Sequence, residues 1–238
     1  MTPSLNVGLL GYGYASATFH APLIASVPGL KLAAISSSRP ADVRAHWPDV
    51  QICETPEALI ARPEIDLVVI ATPNDTHAPL AARALAAGKH VVVDKPFTLS
   101  VSEAQDLIRL ASQQQRVLSV FHNRRWDADF LSLQSVLQNG LLGRITHFES
   151  HFDRFRPVVR QRWRESAKPG GGLWYDLGPH LLDQALQLFG PPQSLWLDQA
   201  SQRDGAQTDD WFHANLGRLF IKLKCSKNIS MICHCNCR

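Results

Sequence analysis

The chain has 238 residues, 45% of them apolar and 19% charged, which is typical of a globular protein with one large or two modest domains. Its 24 Lys and Arg against 21 Asp and Glu give a net charge of +3, too small an excess to indicate a nucleic-acid or membrane partner. No basic leader precedes the first apolar run and no run approaches the roughly 18 apolar residues of a membrane span, so a cytoplasmic location is the default expectation.

The first motif predicts a nucleotide-binding turn. The apolar run Val7–Leu10 is followed by Gly11-Tyr12-Gly13-Tyr14-Ala15-Ser16 and then by a segment, Ala17–Val27, that is compatible with a helix. This is the order of strand, tight turn and helix start in dinucleotide-binding folds, where the helix N-terminus receives the phosphates. Gly11 permits the sharp turn, Gly13 leaves room for a pyrophosphate, and Ser16 is small enough for close packing. A glycine turn alone is a weak signal, and its context strengthens it.

The second predicted strand, Leu30–Ser36, carries the information on cofactor preference. In such folds an acidic residue about 20 positions after the glycines binds the ribose of NAD, whereas an Arg suits the 2′-phosphate of NADP. No Asp or Glu lies between Leu30 and Pro40, and Ser36, Ser37, Ser38 and Arg39 are all able to donate to a phosphate. We therefore predict NADP rather than NAD. The alternative is a polar loop with a solvated arginine.

Alternating helices and strands continue to Phe121 and predict a doubly wound unit of six strands. The predicted elements are a helix over Thr55–Ala61, a strand over Asp66–Ala71, a helix over Thr76–Ala87, a strand over His90–Asp94, a helix over Ser100–Gln114 and a strand over Val117–Phe121, counted as the sixth.

Polar residues follow two of these strands. Asn74 comes after the strand ending at Ala71, where open parallel sheets bind ligands, although an Asn before a helix is at least as often a cap. Lys95 follows the strand ending at Asp94 and precedes Pro96, which restricts the turn. The ammonium of Lys95 is thus a candidate for the ligand crevice; the alternative is a surface lysine paired with Asp94.

A different architecture is predicted after the first domain. His122–Trp126 leads into a helix over Ala128–Gln138, and Thr146–Asp153 then alternates between apolar and polar residues. Alternation is typical of a half-covered antiparallel or mixed sheet. The next segment, Arg154–Lys168, mixes basic residues with Phe155 and Trp163, which favours a loop at the mouth of a substrate or cofactor site over a nucleic-acid contact in so mildly basic a chain.

The segment Gly170–Asp183 is the second candidate for chemistry. Because proline lacks an N–H, Pro179 is comfortable only in the first turn of a helix, which predicts a helix start near Asp176 or Leu177. Asp176 is then either an N-cap or a carboxylate that orients His180, one turn later, for acid–base catalysis. The alternative for His180 is a hydrogen-bonded core histidine.

Three segments together resemble the Gfo/Idh/MocA family of NAD(P)-dependent oxidoreductases: Val7–Ser16, Val93–Phe97 and Gly170–Asp183. Asp94 replaces the glutamate of the family's usual Glu-Lys-Pro. From Asn6 to about Asp210 the chain is most similar to the scyllo-inositol dehydrogenase-like, NADP-using branch.

The resemblance implies a sugar or polyol substrate and a second domain with an open, mostly antiparallel sheet that often mediates homo-oligomerisation, which is doubtful for this chain. Lys95, Asp176 and His180 match the catalytic residues. Gly11, Gly13, Tyr14, Ser16 and the Ser36–Arg39 loop match the cofactor site, with Thr72, Lys95, Asn74 and Asn123 as further members.

We therefore predict an α/β protein with a Rossmann domain over 1–122, an incomplete α+β domain over 123–218 and an unmatched tail over 219–238. The similarity stops near Gly217, which we interpret as a truncated or frame-shifted end. Zinc binding by Cys225, Cys233, His234, Cys235 and Cys237 is disfavoured by their spacing, and no metal is predicted. Two functions stay open: an active oxidoreductase and a non-catalytic NADP-binding remnant.

Overall fold

The computed structural model describes residues 4–217 and 220–227. The chain divides into two compact units, Met1–Phe121 and His122–Arg238. The limits predicted from the sequence for the two domains and the tail stay predictions. Among the described residues, none of the helices has the length and apolar character needed to cross a membrane.

The first unit alternates strands and helices throughout. Its elements are β1 (Leu5–Leu10), a π-helical turn (Ser16–His20) that continues into α1 (Ala21–Ser26), β2 (Leu30–Ser36), α2 (Pro40–His46), β3 (Gln51–Cys53), α3 (Pro56–Ile60), β4 (Leu67–Ile70), a 3-10 turn (Asn74–Thr76), α4 (His77–Ala86), β5 (His90–Asp94), α5 (Val101–Gln113) and β6 (Leu118–Phe121).

These six strands form one parallel sheet in the order β3-β2-β1-β4-β5-β6. This is the order of a doubly wound Rossmann sheet, so the predicted fold class is confirmed. The order reverses between β1 and β4. Since all strands run in the same direction, their carboxyl ends meet at one edge, and ligands of such sheets bind beside that reversal.

The sheet is covered on both faces, which explains the continuous apolar runs. In β1, Val7 and Leu9 pack in a cluster with Ala21 and Ile24 of α1, whereas Leu10 belongs to the cluster of the opposite face. All three β1 side chains are fully buried. A strand buried on both sides needs apolar residues at every position rather than at alternate ones.

β3 and α2 were not located by the sequence analysis, although six strands were counted. β3 has three residues, too few for a periodic pattern, and it is held at the sheet edge by pairing with Ala34–Ser36 of β2. α2 begins with Pro40 as its first residue, a position where the missing N–H costs nothing.

The second unit has fewer helices and a mixed sheet. Its elements are a 3-10 turn (Asn123–Trp126), α6 (Ala128–Gln138), β7 (His147–His151), a 3-10 turn (Trp163–Glu165), α7 (Leu173–Phe189), β8 (Ser194–Ala200), β9 (Trp211–Gly217) and β10 (Phe220–Ser226). The strand order is β7-β10-β9-β8, with β10 parallel to β7 and the other two pairings antiparallel. One face of this sheet packs with Leu181 and Ala185 of α7, through Phe212, Ala214 and Leu223.

α7 begins earlier than predicted. The helix starts at Leu173, so Pro179 lies in its interior and the prediction of a start near Asp176 or Leu177 is wrong. Gly178 precedes the proline, and because it has no Cβ it relieves the clash that disfavours helical backbone before proline. The N-cap interpretation of Asp176 is also wrong, because the N-cap is Gly172, whose carbonyl accepts a hydrogen bond from the Asp176 N–H at 3.1 Å.

A distant residue fixes this helix start. The Asp209 carboxylate accepts a hydrogen bond from the Trp174 N–H at 2.7 Å, and the Asp209 carbonyl accepts one from the Leu173 N–H at 2.9 Å. Gly172 has φ +98°, and a Cβ there would lie 1.9 Å from the Asp209 carboxylate. The absence of a side chain at Gly172 therefore lets the Asp209 carboxylate approach the start of α7.

Candidate functional site

The candidate residues of the first unit all follow the carboxyl ends of strands. Gly11 follows β1, Arg39 follows β2, Asn74 follows β4 and Lys95 follows β5. Parallel pairing of these strands places their ends along one edge. The four positions predicted from separate motifs thus belong to the same edge of the sheet, at the place where open α/β sheets bind their ligands.

The glycine turn has the shape of a nucleotide cradle. Gly11 has φ +85°, and a Cβ there would lie 2.9 Å from the carbonyl oxygen of Ala71. At Gly13 an added Cβ would meet no atom within 4 Å, so the backbone borders open space. The hydroxyl of Ser16 is buried, and among the described residues it has no hydrogen-bond partner. These residues fit the pyrophosphate of a dinucleotide, which would approach at Gly13. Tyr14 next to it is 78% exposed.

The loop after β2 turns back to the glycine turn. The Gly11 N–H donates to the carbonyl of the buried Ser36 at 2.9 Å. The guanidinium of Arg39 donates to the Tyr12 carbonyl and forms an ion pair with Asp42 at 3.4 Å. The Ser37 hydroxyl accepts from the Arg39 N–H at 3.0 Å, and Ser38 is exposed. Arg39 is therefore a neighbour of the glycine turn.

A buried histidine that was not predicted from the sequence contacts the segments after β4 and β5, which carry Asn74 and Lys95. His77, the first residue of α4, is 1% exposed. Its Nδ1 lies 2.8 Å from the Pro96 carbonyl and its Nε2 lies 3.0 Å from the Thr72 carbonyl. Burial lowers the pKa of His77 and outweighs the two carbonyl contacts, which raise it. Asn74, also buried, opens the 3-10 turn before α4.

Lys95 lies between two residues with polar contacts, Asp94 and Pro96. The Asp94 carboxylate accepts the Lys95 N–H at 2.7 Å, and its other oxygen faces His20 Nε2 at 3.5 Å. Burial raises the pKa of Asp94, but the nearby imidazole of His20 and the charge of Lys95 lower it more, so it lies below its usual value. Asp94 is therefore an anion at neutral pH, embedded directly beside the candidate lysine.

In the second unit, Asp176 and His180 lie one turn apart on α7, as the sequence predicted. His180 is buried, and Asp176 forms an ion pair with Arg164 at 3.3 Å. Arg164 also accepts the Gly172 N–H through its carbonyl at 2.9 Å, so one residue contacts both the start of α7 and its acidic side chain. Asn123, the remaining cofactor candidate, begins the first of the two 3-10 turns described in this unit.

The basic segment supplies partners for buried carboxylates. Glu165 pairs with Arg162, Arg203 and Lys227 at 2.7, 3.1 and 3.5 Å, and Arg203 also pairs with Asp210 at 2.7 Å. Glu165, Arg203 and Asp210 are all buried. Arg162 and Arg164 are thus engaged within the unit itself, which gives a structural reason for basic residues at these two positions.

This network predicts acid sensitivity. Burial alone raises the pKa of Glu165, but the Arg160 N–H, Lys227 and Arg162 lower it from 4.5 to about 2. A carboxyl with a depressed pKa stabilises the fold above its unfolded value and loses that contribution as pH falls. We expect the free energy of unfolding of the second unit to fall by about 2 to 3 kcal/mol between roughly pH 4.5 and 2. Urea titrations across that range measure it, and Glu165→Gln should reduce the slope by that amount; an equally steep slope in the variant would contradict the assignment.

Cys225 is the one candidate zinc ligand that lies among the described residues. It is buried in β10 and its thiol donates to the Phe152 carbonyl at 2.6 Å. Burial raises the pKa of the Cys225 thiol to about 12. Cys233, His234, Cys235 and Cys237 lie outside the described residues. Within the described part of the chain, no three His, Cys, Asp or Glu side chains are grouped to hold a metal ion.

Comparisons with known proteins match both units of the chain to one family. Residues 5–122 match the oxidoreductase family with an NAD-binding Rossmann fold, named GFO_IDH_MocA, and residues 130–218 match the GFO/IDH/MocA C-terminal domain. The oxidoreductase YdgJ of Escherichia coli (strain K12) is 62% identical over 216 residues, covering 91% of this chain and 62% of that protein.

A second relative carries a more specific name. The scyllo-inositol 2-dehydrogenase (NADP(+)) IolW of Bacillus subtilis (strain 168) is 38% identical over 213 residues, covering 90% of this chain and 60% of that protein. The crystal structure of an oxidoreductase from Klebsiella pneumoniae superposes with a TM-score of 0.89 at 53% identity, covering 98% of this chain and 64% of that one.

The chain thus spans about three fifths of the length of these curated relatives. The prediction of a truncated or frame-shifted end is not borne out by these comparisons, which give only the share of each relative that is matched.

Proposed function

The chain belongs to the Gfo/Idh/MocA family of oxidoreductases, and from that premise we propose that it transfers a hydride between NADP and its substrate. The proposed substrate is a sugar or a polyol such as an inositol, which reacts at a hydroxyl or carbonyl group. The observation that carries the proposal is the glycine turn at the reversal of strand order, where Gly13 borders open space and the Ser16 hydroxyl is buried. The name of the relative IolW supports the substrate class.

Arg39 supports NADP as the cofactor. Its guanidinium reaches the Tyr12 carbonyl inside the glycine turn, and the strand and loop from Leu30 to Arg39 contain no carboxylate to bind a ribose hydroxyl. A guanidinium presents several donors in a fixed plane that matches phosphate oxygens. The ion pair with Asp42 is half-exposed, so it competes only weakly for Arg39.

Replacing Arg39 by alanine should weaken NADPH binding by about 10- to 100-fold, because a charged hydrogen bond to phosphate contributes about 1.5–3 kcal/mol. Binding of NADH should change by less than about threefold. Titration calorimetry with both nucleotides measures the two constants, and Arg44→Ala, an exposed position on α2, is the control. Equal losses of affinity for NADPH and NADH would show that Arg39 does not bind the 2′-phosphate.

We assign the chemistry to Lys95, Asp176 and His180. The bound nicotinamide supplies or accepts the hydride. His180 accepts the hydroxyl proton during oxidation and returns it during reduction, and Asp176, one turn away on α7, orients the imidazole. Lys95 donates a hydrogen bond to the reacting oxygen and stabilises the negative charge it gains. Gly11, Ser36, Thr72, Asn74 and Asn123 are proposed to contribute to cofactor binding.

The experiment that tests the proposal is NADPH binding together with turnover against a panel of inositols, aldoses and sugar alcohols on the purified chain. Micromolar NADPH binding with turnover of at least one polyol is expected. Binding without any turnover would favour the alternative of a nucleotide-binding protein without catalysis. Absence of NADPH binding would reject both.

A further inference from the structure

The turn that carries Lys95 is held at both of its ends by buried histidines from two other elements. The turn begins at Asp94, the last residue of β5, and continues through Lys95 and Pro96. His20 belongs to the helical segment that follows the glycine turn, and His77 is the first residue of α4. Neither histidine was singled out as functional by its sequence context.

His77 links this turn to the neighbouring strand end. Its imidazole spans from the Pro96 carbonyl at 2.8 Å to the Thr72 carbonyl at 3.0 Å, so it joins the segments after β5 and β4. A neutral imidazole has a single N–H, so one of the two carbonyls accepts a hydrogen bond from it. A side chain that is 1% exposed must make its polar contacts internally, and both ring nitrogens of His77 face carbonyls of these two turns.

His20 contacts the other end through Asp94. The imidazole is 3% exposed and packs on Phe121 with ring centres 4.3 Å apart. Its Nε2 lies 3.5 Å from the Asp94 carboxylate, an ion-pair contact rather than a hydrogen bond. That carboxylate in turn accepts the Lys95 N–H at 2.7 Å. The chain of contacts therefore runs from the helix behind the glycine turn to the backbone of the candidate lysine.

We propose that His77 and His20 are positioning residues for Lys95: they fix the backbone of the Asp94–Pro96 turn and thereby the point from which the lysine side chain reaches the substrate oxygen. This inference rests on the proposed function of Lys95. A lysine side chain has a fixed length, so the location of its backbone limits the points that its ammonium can reach. A displacement of about 1 Å in a catalytic group costs on the order of 100-fold in rate.

The two nitrogens of His77 make the proposal specific. An Asn side chain places its amide nitrogen at the position of imidazole Nδ1, whereas a Gln side chain reaches the position of Nε2. His77→Asn thus places an N–H toward the Pro96 carbonyl, and His77→Gln places one toward the Thr72 carbonyl. If the role of His77 is to hold the lysine turn, Asn restores function and Gln does not.

The first experiment measures steady-state kinetics of His77→Leu, His77→Asn and His77→Gln on the full chain. We expect kcat of His77→Leu to fall by about 10- to 100-fold, with KM and the Kd of NADPH within about threefold of wild type. His77→Asn should recover most of kcat. His20→Leu should lower kcat in the same range. Recovery by Gln but not by Asn would overturn the assignment to the lysine turn.

The second experiment does not depend on activity. Pulse acylation with acetic anhydride, read by mass spectrometry, gives the rate at which Lys95 is modified relative to the exposed Lys31. Loosening of the turn in His77→Leu should raise that ratio at least threefold, and His77→Asn should return it to the wild-type value. For His20→Leu a change of the same size is expected. An unchanged ratio in folded variants would reject the proposal.

His90 offers a matched control at the opposite end of the same strand. Its Nδ1 accepts the Val117 N–H at 2.9 Å, so His90→Leu also removes a histidine contact from β5. This variant should leave kcat and the Lys95 acylation ratio unchanged; a response equal to that of His77→Leu would show a general loss of stability instead. A wild-type chain that binds NADPH without turnover would contradict the proposed function, while the acylation ratios would still decide the positioning role.

Discussion

Replacing Lys95 by methionine should lower kcat by about 100- to 1000-fold and leave the Kd of NADPH within about threefold. Methionine keeps the length of the side chain but removes the ammonium, and loss of one donor to a developing oxyanion costs about 2.7–4 kcal/mol. The reaction is followed by NADPH absorbance with whichever polyol the panel identifies.

Lys31→Met is the control for this prediction, since Lys31 is an exposed lysine in β2 of the same unit. Its turnover should equal that of the wild type. Full activity of Lys95→Met would remove Lys95 from the chemistry, and a large loss of NADPH affinity would reassign it from the reacting oxygen to the cofactor. His180→Gln tests the proton-transfer step in the same way.

Replacing Arg203 by methionine should lower the free energy of unfolding of the second unit by about 3–5 kcal/mol. The substitution leaves Glu165 and Asp210 buried without their shared cation, and one-sided removal from a buried ion network is costly in this range. It also removes hydrogen bonds from Arg203 to the carbonyls of Arg156 and Val158, at 3.0 and 3.3 Å, that hold the basic segment.

Tryptophan fluorescence during urea unfolding reports this change, because Trp47 is the only one of the six tryptophans that lies in the first unit. Arg144→Met, an exposed position in the same unit, should change the free energy of unfolding by less than about 0.5 kcal/mol. Equal free energies of unfolding of the two variants would contradict the predicted contribution of the ion network to stability.

Local patterns predicted the elements that local forces determine. β2 was located over Leu30–Ser36 and α6 over Ala128–Gln138, the bounds that the structure has. In both cases the apolar residues that define the element and the residues that end it lie within a few positions of each other in the sequence. The alternation from Thr146 to Asp153 likewise gave the half-covered strand β7, in which Phe148 and Ser150 are less exposed than their neighbours.

Features that depend on distant partners were missed. The start of α7 was misplaced because it is set by Asp209, which the sequence places 36 positions after Leu173. The ion network around Glu165 and the two contacts of His77 also join separated segments, and no spacing rule connects them. For the candidate site, motif order gave the residues after β1, β2, β4 and β5, whereas the side chains that hold them in place required three-dimensional contacts.

The capping of α7 by Asp209 has a consequence for synthesis on the ribosome. The polypeptide emerges from its N-terminus, so the segment with Asp176 and His180 leaves the exit tunnel before the residue that completes the first turn of its helix. Until then the amide groups of Leu173 and Trp174 lack these two partners, and the proposed acid–base residues lie at an end that frays. The start of α7, which carries the proposed proton-transfer residues, is therefore completed only after residue 209 has also left the exit tunnel.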